Sequence, residues 1–156
     1  MLPDRKAIKD LFEGLLGRDV AVTDGRPVDI GLPKPVIASY IDDHHNLRAV
    51  ALMDFRLAAL SGAALALVPK GAAEAAEEDR LMPENLFENA SEICNVLAAP
   101  FGDAMGEHLR LSEAYAPSSP VPAHLNVLAM QLGAREDVAL EIAGYGTGTL
   151  SLVVSV

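Results

Sequence analysis

The stretch LFENASEICNVLAAPF, residues 86–101, decides how this chain is read. Wound at ~100° per residue, Leu86, Phe87, Ala90, Ile93, Cys94 and Leu97 gather on one side. Asn85, Glu88, Glu92 and Asn95 gather on the opposite side, in line along the axis. The apolar set is the core face of a helix, so the polar set points away from the core. Pro83 stands near the start of this helix, and Pro100 is expected to follow its end. Outward polar stripes are ordinarily solvated faces. Glu88 and Glu92, four residues apart, repel slightly and so do not help the isolated helix. Cys94, the chain's one cysteine, falls on the apolar side and reads as a small core residue rather than a nucleophile.

Upstream, PDRKAIKDLFEGLLG (residues 3–17) opens a helix, with Pro3 at a first-turn position and Gly17 as a stop signal. DVAVTDG reads as a short strand running into a turn, and RPVDIGLPKP is too rich in proline for a central strand. Two β-prone runs flank the polar DDHHN at 42–46, which predicts a hairpin. DFRLAALSGAALALV follows as a helix with Asp54 at its N-cap and Pro69 ending it. Residues 69–85 read as a connection with some helix. Downstream, HLRLSEAY is a strand leading into a Pro/Ser-rich loop. AHLNVLAMQLG suits either strand or helix, and we read it as strand. EDVALEIAGYGTGTLSLVVSV predicts two more strands around a Gly-rich turn. Long runs of strands separated by helices argue for an α+β fold, with a largely antiparallel sheet packed against two or three longer helices. The length suits one domain spanning 1–156.

The composition excludes several kinds of function. The net charge of −10 and the lack of any basic run speak against nucleic acid. No apolar run reaches the ~18 residues of a membrane span, and the N-terminus lacks the order of a signal peptide, so a cytoplasmic location is expected. GYGTG has no following helix and no Lys-Ser/Thr pair, which makes it a hairpin turn and not a phosphate loop. His44 and His45 are neighbours in a turn, while His108 and His124 show no ligand spacing to them, so no metal site is expected. Neither a G-x-S-x-G elbow nor a C-x-x-C pair occurs.

Glu92-Ile-Cys-Asn95 resembles the E-x-x-N signature of the CheC/CheX/FliY phosphatases of bacterial chemotaxis, and the surrounding ENASEICNVLAAPF is similar to the helix that carries it. LRAVALMDFRLAALSGAALALVPKG resembles the strand-then-helix unit of that group. IKDLFEGLLGRDVAV resembles the CheX-type opening helix, and GTGTLSLVVSV the closing strand. The first helix offers only Glu13-Gly-Leu-Leu16, which places the chain nearer the single-site CheX than CheC. The resemblance implies a phosphatase for the phospho-aspartate of a CheY-like receiver. Asn95 would orient the attacking water and Glu92 would pair with the receiver's lysine. Glu88, where the group carries Asp or Ser, would be accessory. Pro117 and Pro120 straddle the place of the group's downstream proline. No cofactor is implied in this chain; Mg²⁺ is expected on the receiver partner. A homodimer is allowed. The same resemblance admits a non-catalytic module that binds a receiver or a flagellar switch component.

Overall fold

A computed structural model of the chain describes residues 2–155; Met1 and Val156 lie outside the described residues. The chain runs α1 (Arg5–Leu16), β1 (Val20–Asp24), β2 (Val36–Ile41), β3 (Leu47–Met53), α2 (Phe55–Leu65), α3 (Lys70–Asp79) and α4 (Glu84–Met105). It continues with β4 (Arg110–Tyr115), α5 (Ala123–Ala129), β5 (Arg135–Ile142) and β6 (Gly146–Val154). The strands form one sheet of order β1-β5-β6-β3-β2-β4, with every pairing antiparallel. This is the expected α+β architecture. Exchanging each strand for the one three places away turns the order into its own reverse. Likewise α1 leads into β1 as α4 leads into β4. The two halves are thus related by a pseudo-twofold that no sequence repeat reveals.

Alternation along the strands assigns the two faces. Ala49, Ala51 and Met53 of β3 and Leu150, Leu152 and Val154 of β6 pack with α1, α2 and α4 in the main core. Val50, Leu52 and Val153 point the other way, onto Leu125, Leu128 and Ala129 of α5 and Val28 of the β1–β2 loop. The central strands read as nearly unbroken apolar runs because both their faces are covered.

Several sequence expectations need correction. Residues 123–129 form helix α5 and not a strand. Leu125, Leu128 and Ala129 fall at helical spacing on the sheet, while Val127 and Met130 stay exposed, so the apolar residues do not all share one buried face. Pro3 precedes the helix; Asp4 is the N-cap, accepting from the Ala7 N–H at 2.8 Å. Asp54 caps α2 as expected, accepting from Leu57 at 2.7 Å. That helix ends at Leu65, however, and Pro69 instead opens α3, a helix of 10 residues within the expected connection. Pro100 lies inside α4, which continues to Met105. Proline has no N–H for the Val96 carbonyl and costs a helix interior ~3 kcal/mol. Beyond it, Phe101 is fully buried and packs against Tyr40 with ring centroids 5.2 Å apart and the ring planes tilted by 54°. Burial of such a side chain offsets about 1.5–3 kcal/mol of that cost. Among the described residues, no helix is long and apolar enough to cross a membrane.

The α2–α4 crossing is set by Gly62. A Cβ there would lie 2.4 Å from the Leu86 carbonyl oxygen, and the Asn89 amide donates to the Gly62 carbonyl at 2.9 Å. Gly62→Ala should therefore destabilise the fold by about 1–3 kcal/mol through overpacking. Gly14→Ala, on the exposed face of α1 with open space where its Cβ would lie, should stabilise by about 0.5–1 kcal/mol. Urea unfolding of the two variants measures both; equal effects would remove the crossing as the reason for Gly62.

Burial pushes the Asp54 carboxyl above its ordinary value, against hydrogen bonds from Leu57 and Thr149 that lower it. The folded chain holds that proton more tightly than the unfolded one. The contribution is therefore fully present below the unfolded pKa and is lost as pH rises through the raised folded pKa. Asp54→Asn keeps the capping oxygen without the buried charge. It should match or exceed wild-type stability at pH 7, with the difference closing below the ordinary aspartate pKa of ~3.9. A loss at pH 7 as large as that of Asp54→Ala, ~1 kcal/mol, would show that the charge itself is needed.

Candidate functional site

The outward edge of α4 carries every residue of the sequence stripe. Glu88, Glu92 and Asn95 are exposed, while Ile93, Cys94 and Leu97 between and behind them are buried. Glu92 and Asn95 stand less than one turn apart on the same side of the helix. The helix is fixed beneath them. The Tyr40 hydroxyl, buried in the core, donates to the Cys94 carbonyl at 2.6 Å, so the sheet grips α4 between the two side chains. Asn89 makes a second anchor through Gly62. Burial pushes the Cys94 thiol up to about 12, which leaves no thiolate for chemistry.

The topologically matching helix, α1, presents nothing comparable. Glu13 accepts from Lys9 at 2.7 Å and from the Val20 N–H at 3.0 Å, and the Lys9 hydrogen bond holds its carboxyl below the ordinary range. Leu16, three residues on, is buried. Glu13 is thus occupied within its own chain.

Beyond Asn95 the helix forms one wall of an open groove of about 890 Å³. Asn95, Ala99 and Asp103 lie along this wall, and Glu107, His108 and Arg110 along the other. Gly102 lets the returning chain come close, since a Cβ there would lie 2.5 Å from the Glu107 carbonyl oxygen. Three side-chain links pin the far wall to the β2–β3 hairpin. Arg48 donates to both Glu107 oxygens at 2.9 and 3.2 Å. His108 Nδ1 lies 2.6 Å from the Asp43 carboxylate, and Arg110 lies 2.8 Å from His45 Nδ1. Asp42 shapes that turn by accepting from the His44 and Asn46 N–H groups, and the Asn46 bond is the chief cause of its lowered pKa. His45 sits in the left-handed region at φ 63°.

Sequence spacing could not bring His108 and Arg110 to the hairpin turn, because the pairing of β2 with β4 does so. Pro117 and Pro120 lie between β4 and α5, and neither lines the groove. Among the described residues, no group of three or more His, Cys, Asp or Glu is placed to hold a metal ion. Glu92 and Asn95 stand on the outward edge of α4, and Asn95 also lines the groove.

No family model matches the chain, and no curated protein is significantly similar to it in sequence. Solved structures are similar to it in fold. The FliM middle domain from H. pylori matches with a TM-score of 0.61 at 11% identity, over 96% of this chain and 83% of that one. FliM in a FliM–SpeE complex from H. pylori gives 0.62 at 8% identity, over 96% and 80%. FliY from Thermotoga maritima gives 0.54 at 16% identity, over 94% and 81%. The chain therefore has the fold of FliM middle domains and of FliY, in agreement with the resemblance drawn from its sequence.

Tyr40→Phe tests the anchor under the site. Loss of the bond to the Cys94 carbonyl should cost about 1 kcal/mol. The same opening should speed labelling of Cys94 by a thiol reagent in native buffer by about fivefold. Unchanged stability and labelling would mean that the hydroxyl does not hold α4.

Proposed function

We propose that this chain docks on a CheY-like receiver domain and hydrolyses its phospho-aspartate. The observation that carries this reading is the placing of Glu92 and Asn95, exposed and close together, on a convex helix edge anchored from below. The Asn95 amide holds a water in line with the phosphorus. The water oxygen bonds to phosphorus as the bond to the aspartate oxygen breaks, leaving free aspartate and inorganic phosphate. The receiver's bound Mg²⁺ neutralises charge on the phosphoryl oxygens. Glu92 pairs with the receiver's lysine and sets the docking register. Glu88, one turn earlier, faces the same partner and makes the contact in which this chain departs from the Asp or Ser of the E-x-x-N group. A homodimer built on any other face leaves this edge open.

A second reading keeps the fold and the docking but not the hydrolysis: a module that binds a receiver or a flagellar switch component. FliM, similar in fold, is found in a complex with another protein, SpeE, which supports protein binding as a role.

A panel of CheY-type receivers, phosphorylated with acetyl phosphate, separates the two. Wild type should accelerate phosphate loss from at least one. Asn95→Ala should lower the maximal rate by about a hundredfold. Glu92→Ala should raise the half-saturating receiver concentration by about tenfold. Binding without acceleration would support the module, and unaltered kinetics in both variants would return the stripe to a solvated face.

A further inference from the structure

We infer that Arg110 is a second contact for the docked receiver, pairing with an anionic oxygen that the partner brings against Asn95; this rests on the docking reading above. Four arginines of the chain, Arg5, Arg48, Arg56 and Arg135, pair with carboxylates. Arg18 donates to the Ala143 carbonyl and lies over the Tyr145 ring. Arg110, like Arg18, Arg26 and Arg80, has no carboxylate within ion-pair distance among the described residues; it differs from them in lining the groove with Asn95, and His45 Nδ1 lies 2.8 Å from its guanidinium. An imidazole carries no negative charge, so this contact does not cancel the guanidinium's charge as a carboxylate would.

Position supplies the rest. Arg110 and Asn95 line the same groove. Of its other charges, Glu107 is taken by Arg48 and His108 lies against Asp43. Asp103 stands eight residues beyond Asn95, ~12 Å further along the helix. The chain carries a net charge of −10, and Glu88 and Glu92 lead up to Asn95. Glu88 and Glu92 repel a phosphoryl group whose charge the receiver's Mg²⁺ offsets only in part, and a cation on the facing wall relieves that repulsion. A guanidinium offers paired donors to phosphoryl or carboxylate oxygens, which an ammonium does not. His45 is a positioning residue for this contact.

The experiment uses the full chain and the receiver whose phosphate loss the wild type accelerates. Arg110→Gln should raise the half-saturating concentration of phosphorylated receiver by about tenfold or more, with the maximal rate within about twofold of wild type. Arg110→Lys should recover part of that loss, and His45→Ala should shift it in the same direction as Arg110→Gln. Binding to the receiver with and without beryllofluoride identifies the oxygen. Weakening confined to the activated form assigns a phosphoryl oxygen, and equal weakening of both forms assigns a carboxylate of the partner. A folded Arg110→Gln with wild-type kinetics and affinity overturns the inference alone. A wild type that neither hydrolyses nor binds any receiver overturns the docking reading and this contact with it.

Discussion

Helix α2 can occupy the middle of this molecule only because two of its contacts lack a side chain. At Gly62 the backbone of α4 comes so near that a methyl group would strike the Leu86 carbonyl, and Asn89 closes the gap with a hydrogen bond. At Gly148 of β6 a methyl group would strike Leu57 of α2, at 2.5 Å from its Cβ. The helix between them is buried from Leu57 to Ala64 without interruption. A helix apolar all round needs cover all round, and the two glycines let the sheet and α4 come close enough to give it. The position of α4, and so of Glu92 and Asn95, follows from that approach.

The pseudo-twofold makes the difference between α1 and α4 informative. Both lead into an edge strand of one symmetric sheet. The fold alone would let either helix carry a docking edge. In α1 the carboxylate turns to its own neighbours, with Glu13 bonded to Lys9 and to the start of β1. In α4 the intramolecular hydrogen bonds come from below, through the backbone carbonyl of Cys94 and the side chain of Asn89. Glu92 and Asn95 are left exposed. One helix spends its polar groups on the fold, while the other is held by groups that are not in its stripe.

What was legible in the sequence depended on the range of the interaction. The stripe on 85–95 was legible because helical period is local. The hairpin around 42–46 and the Asp54 cap were legible for the same reason. Pro100 misled because its local penalty is real and is offset in part by Phe101 meeting Tyr40, a residue 61 positions away. Residues 123–129 misled because the periodic signal was blurred by Val127 and Met130, which remain exposed. The far wall of the groove was beyond reach, since Asp43, His45, His108 and Arg110 meet only when β4 pairs with β2. The alternative readings of the stripe, solvated face or docking edge, could not be separated by period at all.

An exposed site on an acidic protein poses an electrostatic problem that a cleft does not. A cleft can surround an anion with its own dipoles, whereas a convex edge must leave most of that work to the partner. Under the proposed docking, the carboxylates Glu88 and Glu92 would suit a partner that presents a cation and would oppose the phosphoryl group beside it. A carboxylate-paired arginine nearby would do little to relieve this, because its field is already cancelled at short range. A guanidinium bonded to an imidazole and not to a carboxylate keeps its charge uncancelled at short range, as the proposed contact with an incoming anion requires. The link between His45 and Arg110 belongs with Glu92 and Asn95 for this reason: it supplies on the far wall the sign of charge that the helix edge lacks.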